Sequence, residues 1–127
     1  MNNMKHSLMA KTSKLTHAKY NATIEGRYRT LRRAASRRSL PLLISKEEYR
    51  SLMDEASCFF CGCSIDQSVG SGYYLDRINN SKGYYLNNVV VCCPKCNALK
   101  SNNLSFEEMI FIVQALKLFR KKFVKRK

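Results

Sequence analysis

The sequence predicts an α+β fold, a small cysteine-stapled ββα core between helical flanks. Three observations predict it. Two C-x-x-C pairs, Cys58/Cys61 and Cys93/Cys96, are separated by thirty-one residues. Between them lie two short strand-like runs, Tyr73-Tyr74-Leu75 and Val89-Val90-Val91. Outside them, apolar residues recur at helical spacing, twice behind a Ser-x-x-Glu start. The chain divides accordingly into a basic arm (1–23), a basic helical region (24–56), the cysteine-bounded unit (57–104) and a terminal helix with a basic tail (105–127).

Residues 1–24 hold Lys, Ser, Thr, Asn and His with no acid and no period, so the arm is expected to be flexible until bound. From Ile24 to Ser39 a helix is expected, with Tyr28, Leu31 and Ala35 on one face and Arg27, Arg29, Arg32, Arg33, Arg37 and Arg38 over the rest. Six arginines against a single carboxylate, Glu25, suit a phosphate backbone. Pro41 ends this helix. Ser45-Lys46-Glu47-Glu48 is a capping box that opens a helix to about Glu55, with Tyr49, Leu52, Met53 and Ala56 on its apolar face. Asn79-Asn80-Ser81 and Gly83 mark the turn between the strands, and Asn87-Asn88 precede the second strand. A second capping box, Ser105-Phe106-Glu107-Glu108, opens the last helix. On it Phe106, Met109, Ile110, Val113, Leu116 and Phe119 are expected to form a core face, and Arg120-Lys121-Lys122 complement the dipole at its end.

Charge narrows the function. The chain of 127 residues carries 23 Lys+Arg against 9 Asp+Glu, a net +14. Residues 1–46 are net +10, 47–116 net −3 and 117–127 net +7. Two basic ends on a mildly acidic middle attract polyanions through counterion release. No run of 18 apolar residues exists, which argues against a membrane span. The start lacks the apolar stretch of a secretory signal, so the expectation is a protein of a reducing, intracellular compartment. In that setting six cysteines favour metal over a disulfide framework.

A two-residue gap lets both thiolates of a pair face one ion, so Cys58, Cys61, Cys93 and Cys96 are expected to form one tetrahedral zinc site. Gly62 permits the tight backbone after Cys61. Cys63 follows its pair too closely to join the same tetrahedron, and Cys92 should point away from Cys93. Both are expected to be unligated, with Cys92 in the core.

The stretch Cys58-x-x-Cys61-Gly62, Leu75-Asp76-Arg77-Ile78-Asn79-Asn80-Ser81-Lys82-Gly83-Tyr84, Asn88-Val89-Val90-Val91-Cys92-Cys93-x-x-Cys96-Asn97-x-x-Lys100 resembles the HNH endonuclease superfamily, closest to the small HNH proteins of phages and large DNA viruses. The resemblance implies a ββα-metal core of treble-clef zinc type holding one divalent ion, Mg²⁺ or Mn²⁺, at the DNA backbone. It implies that Asp76 and Asn97 ligate that ion and that Asn88 braces the loop. Arg77 falls where the superfamily's general-base His stands, and Asn79 where similar members carry Asp.

Arg cannot accept a proton near neutrality, so Arg77 is expected to clamp the phosphate. The base stays open among Tyr73, Tyr74, Tyr84, Tyr85 and solvent, with His6 and His17 remote in the arm. The expected activity is metal-dependent cleavage or nicking of DNA. Lys82 and Lys100 are expected to join the six helix arginines in contacting nucleic acid, DNA or RNA. The alternatives are a non-catalytic nucleic-acid-binding module on an HNH scaffold, or a structural zinc protein in a nucleoprotein assembly.

Overall fold

The computed structural model describes residues 17–54, 56–68 and 70–123. The expectation of a loose arm falls largely on residues 1–16, His6 among them, which lie outside the described residues. Its end is ordered differently from the expectation: residues 17–21 are helical. The Thr23 amide donates to the Tyr20 carbonyl (2.9 Å). This turn lies so close to the next helix that a Cβ on Gly26 would strike the Tyr20 carbonyl oxygen.

Helix α1 (Ile24–Arg37) starts at Thr23, whose hydroxyl accepts from the Gly26 amide (3.1 Å). It stops where Ser39 turns to φ 54°, just before Pro41. Leu31, Ala34 and Ala35 are buried on its inner face. Helix α2 (Lys46–Met53) carries the complete capping box: the Glu48 amide donates to Ser45 Oγ (3.1 Å) and the Ser45 amide to Glu48 Oε1 (2.8 Å). The two helices pack together, with the Tyr28 hydroxyl donating to the Ile44 carbonyl (2.6 Å) and the Tyr28 and Tyr49 rings 5.9 Å apart.

Strand β1 (Leu75–Arg77) pairs antiparallel with β2 (Val89–Val91), with Leu75 opposite Val91, Asp76 opposite Val90 and Arg77 opposite Val89. The strand expected at Tyr73–Leu75 thus begins two residues later. Tyr74 sits at φ 52°, a left-handed conformation that breaks the extended chain. A 3₁₀ turn (Leu86–Asn88) feeds β2. Residues 41–43 run beside Tyr84, with the Leu43 amide on the Tyr84 carbonyl and the Tyr84 amide on the Pro41 carbonyl, both at 2.8 Å. Only glycine fits at position 83, because a Cβ there would lie 2.4 Å from the Pro41 oxygen.

Helix α3 (Pro94–Lys100) and helix α4 (Phe106–Phe123) complete the chain. Ser105 and Glu108 form the second capping box, at 2.8 and 3.0 Å. The strand alternation serves two cores. Leu75, Val89 and Val91 face Leu31, Ala35, Ile44, Tyr49, Met53 and Tyr84. Val90 and Cys92 face Phe60, Met109, Val113 and the zinc-pattern cysteines. Full burial of such side chains stabilises by about 1.5–3 kcal/mol each. Leu116 and Phe119 do not extend this core as expected. They are exposed, because beyond Val113 none of the α4 side chains described is buried.

Candidate active site

The four paired cysteines converge. Their Sγ atoms all lie within 4.8 Å of one another and could hold a metal such as zinc. Cys58 and Cys61 come from a turn after α2, where Gly62 takes φ 78°. Cys93 caps α3 and Cys96 lies in its first turn. The Phe59 amide donates to the Val91 carbonyl (2.8 Å), which hangs the first pair on β2 beside the second. No disulfide forms: all six cysteines are free, and Cys61 and Cys93 are 3.8 Å apart at sulfur, against about 2.05 Å for a bond. Burial alone would raise the Cys61 thiol. Hydrogen bonds from the Cys63 backbone and neighbouring thiols outweigh it and bring it down to about 6, toward the thiolate a metal needs. Cys63 is exposed and Cys92 is buried, neither in the four-sulfur set.

Beside this cluster a cleft of about 230 Å³ is lined by Arg38, Tyr73, Asp76, Arg77, Asn80, Tyr84, Asn97 and Ser101, among others. Asp76 reaches it from the middle of β1, and Asn97 from α3, one residue after a zinc-pattern cysteine. The two residues named from sequence as an ion's ligands therefore share one cavity. Asp76 is buried while Asn97 is exposed at the rim. Burial pushes the Asp76 carboxyl above its usual range, while Lys100 and Arg77 pull against that rise. Its Oδ2 lies 3.0 Å from Lys100 Nζ as an ion pair, yet in an alignment that leaves the oxygen without a hydrogen-bond donor. A larger hollow of about 1270 Å³ lies against the cysteines and α4, and holds neither Asp76 nor Asn97.

No family model matches the chain. The solved structure of the rare-cutting HNH restriction endonuclease PacI superposes with a TM-score of 0.61, at 21% identity, over 77% of this chain and 80% of that one. The chain has the fold of an HNH endonuclease. An uncharacterised protein of Acanthamoeba polyphaga mimivirus is 30% identical over 102 residues, 80% of this chain, and the chain spans about a fifth (18%) of that relative's length.

Within the HNH fold the loop from β1 to β2 is held by side chains rather than by a ladder. Asn88 is buried and its amide makes three bonds: Nδ2 donates to the Gly83 carbonyl (2.8 Å) and the Asn79 carbonyl (3.2 Å), and Oδ1 accepts from the Asn79 amide (2.9 Å). Arg77 is occupied in the same loop. Its Nη1 donates to the carbonyls of Asn80 (2.6 Å) and Lys82 (3.1 Å), and its guanidinium lies 5.4 Å from the Tyr84 ring centre. Arg77, expected to clamp a phosphate, lines the cleft with its Nη1 committed to these loop carbonyls. Arg38, expected only to track the backbone, is the exposed guanidinium that lines the cleft, with Nη1 3.4 Å from the Tyr84 hydroxyl. Its place was not legible in sequence, because it depends on where α1 stops relative to Tyr84.

Two expectations are corrected. Arg27 and Lys100 are fully buried and present nothing to a nucleic acid. Arg27 donates to the carbonyls of Gly72 (2.7 Å) and Gln67 (2.6 Å) and stacks 4.8 Å from the Tyr74 ring centre, so it ties α1 to the loop before β1. Lys100 points inward one helical turn after the buried Cys96, where Asp76 and the Arg77 carbonyl meet its ammonium. Arg29, Arg32, Arg33, Arg37 and Lys82 are exposed, as a phosphate contact requires. Among the tyrosines considered as bases, Tyr73 is held up at about 12 by burial and by the Tyr84 hydroxyl, so it keeps its proton. Tyr74 and Tyr85 do not line the cleft. Among the described residues, no helix is long and apolar enough to cross a membrane.

Proposed function

We propose that the chain is a metal-dependent HNH-type endonuclease that breaks phosphodiester bonds in DNA, with Cys58, Cys61, Cys93 and Cys96 around a structural zinc. The observation that carries the reading is the shared cleft: a carboxylate from a strand and an amide from a helix meet in one cavity on a cysteine-stapled unit. The donor set fits a hard divalent ion. Asp76 offers a buried carboxylate, its Oδ2 ion-paired with Lys100 but without a hydrogen-bond donor, and Asn97 an exposed neutral amide oxygen, a set that Mg²⁺ or Mn²⁺ accepts. Such an ion, when bound, supplies charge neutralisation at the phosphate and lowers the pKa of water.

The remaining work falls to the chain's own groups. Arg38 at the cleft is the guanidinium free to hold a non-bridging phosphate oxygen and the charge that grows on it. Asn88 and Arg77 hold the 78–83 loop, and so fix Asp76 against Asn97. The Tyr73 hydroxyl, kept neutral and 3.3 Å from that of Tyr84, serves as a proton donor to a leaving oxygen, not as a base. The exposed arginines of α1 and the cations ending α4 run along the duplex by phosphate contact.

A non-catalytic binding module is the second reading, favoured by one observation. Among the described residues lining the cleft, none is an imidazole, and the single carboxylate is already paired with Lys100. Supercoiled plasmid incubated with zinc-loaded protein and Mg²⁺ or Mn²⁺ separates the two. The nuclease reading expects nicking that D76N lowers at least a hundredfold. Salt-sensitive binding without nicking, identical for wild type and D76N, selects the module.

A further inference from the structure

Behind the Asp76 cleft, paired with its carboxylate, lies a cation that belongs to the protein. Lys100 Nζ is fully buried and lies within reach of three oxygens: Asp76 Oδ2 at 3.0 Å, the Arg77 carbonyl at 3.2 Å and Asn80 Oδ1 at 3.3 Å. An oxygen-lined seat of this kind is what a metal ion would occupy, and here an ammonium fills it. A lysine this buried is tolerated only with its charge compensated, and Asp76 is the compensating group. Among the described residues the other charged groups lining the cleft are Arg38 and Arg77, both positive. Counted with Lys100, one carboxylate faces three cations. A dication entering the free protein therefore meets no net negative charge. It finds one neutral amide, at Asn97, and half of a carboxylate whose other oxygen is taken.

We propose that Lys100 is the resident counter-ion of the Asp76 site, and that it makes divalent-ion loading depend on a nucleic-acid phosphate already seated in the cleft. The phosphodiester brings the missing negative charge and further oxygen ligands, and Arg38 is placed to hold it. Binding is thus ordered, backbone first and metal second. The inference rests on the nuclease reading, in that Asp76 is taken as a ligand of the ion. It goes beyond that reading by assigning Lys100 a role and the site a sequence of occupation. Lys100 acts through Asp76 and is a positioning residue, not a catalytic one.

The test reads binding rather than turnover. Mn²⁺ is titrated into the zinc-loaded full chain, with and without a saturating short DNA duplex, and free Mn²⁺ is followed by its paramagnetic resonance signal. D76N with the duplex gives the background of Mn²⁺ held by DNA alone. The proposal expects wild type to bind Mn²⁺ at least tenfold more tightly with the duplex than without it, above that background. It expects K100M without the duplex to gain at least tenfold over wild type without the duplex. Equal affinity of wild type with and without the duplex overturns the ordered loading and leaves the metal reading intact. Should K100M fail to fold, this wild-type comparison decides by itself. A K100M that folds and binds Mn²⁺ no better than wild type removes Lys100 from the account. Wild type that never exceeds the D76N background overturns the metal reading and this inference together.

Discussion

Replacing Arg27 by alanine should cost the fold about 3–4 kcal/mol, and should leave the electrostatics of nucleic-acid binding unchanged. The guanidinium holds two carbonyls, Gly72 at 2.7 Å and Gln67 at 2.6 Å, in a place where water does not reach its side chain. Both bonds are part-buried and come from a charged donor, a kind that contributes about 1.5–3 kcal/mol each. The stacking on Tyr74 at 4.8 Å adds about 0.5–2 kcal/mol. Relief of the buried charge offsets part of the sum, since desolvating an ion costs several kcal/mol. The measurement is denaturant unfolding of zinc-loaded wild type and R27A. A parallel titration of duplex binding against salt supplies the control. R32A, which removes an exposed charge, should flatten the log–log salt slope by about 0.9 for a lost phosphate contact, while R27A should not move it. An R27A protein of wild-type stability with a flattened slope would refute the structural placement and restore Arg27 to the nucleic-acid face.

Cys93→Ser, or a chelator strong enough to strip zinc, should abolish stoichiometric zinc by elemental analysis and unfold the 57–104 unit, read as loss of near-ultraviolet ellipticity. Retention of that signal without metal would remove the ion from the account of the fold. Asn88→Ala deletes three loop bonds and should destabilise by about 2–4 kcal/mol in the same unfolding assay, at about 1 kcal/mol for each bond plus the desolvated carbonyls it leaves. Tyr73 should ionise late. A phenol near 10 when unfolded and about 12 when folded contributes stability that is whole below pH 10 and fades as the pH climbs through 12. Absorbance titration at the phenolate band should lose one late-titrating group in Tyr73→Phe, and a Tyr73 that ionises at 10 or below would contradict its burial.

The parts of the fold written in local chemistry were readable from sequence. Both Ser-x-x-Glu boxes form with all their hydrogen bonds, because capping involves residues three apart. The cysteine pairs converge because their spacing is itself the geometry of a tetrahedron. What failed depended on distant partners. Arg27 and Arg32 are alike in a helical wheel crowded with arginine, and only the Gln67 and Gly72 carbonyls set against Arg27 separate the buried one from the exposed one. Lys100 reads as one more surface cation until Asp76 is set against it. Leu116 and Phe119 keep the helical period, yet both stay exposed past Val113, the last buried residue described on α4. Strand β1 starts two residues past its expected place because Tyr74 has the side chain of a strand residue and the backbone of a turn. The cleft itself was legible as a list of residues, while the bonding of Arg77 into the 78–83 loop and the place of Arg38 at the rim were not.

Helix α3 is only seven residues long, and within five of them it presents Cys96 to the sulfur cluster, Asn97 to the cleft and Lys100 to Asp76. With about 100° between successive positions, one rigid rod gears all three together. A twist that loosens the thiolates swings the amide and the ammonium by the same angle. Any property lost in a variant near the sulfurs therefore carries two meanings, a damaged site or a slipped rod. The metal content of each preparation has to be weighed before the first meaning is accepted.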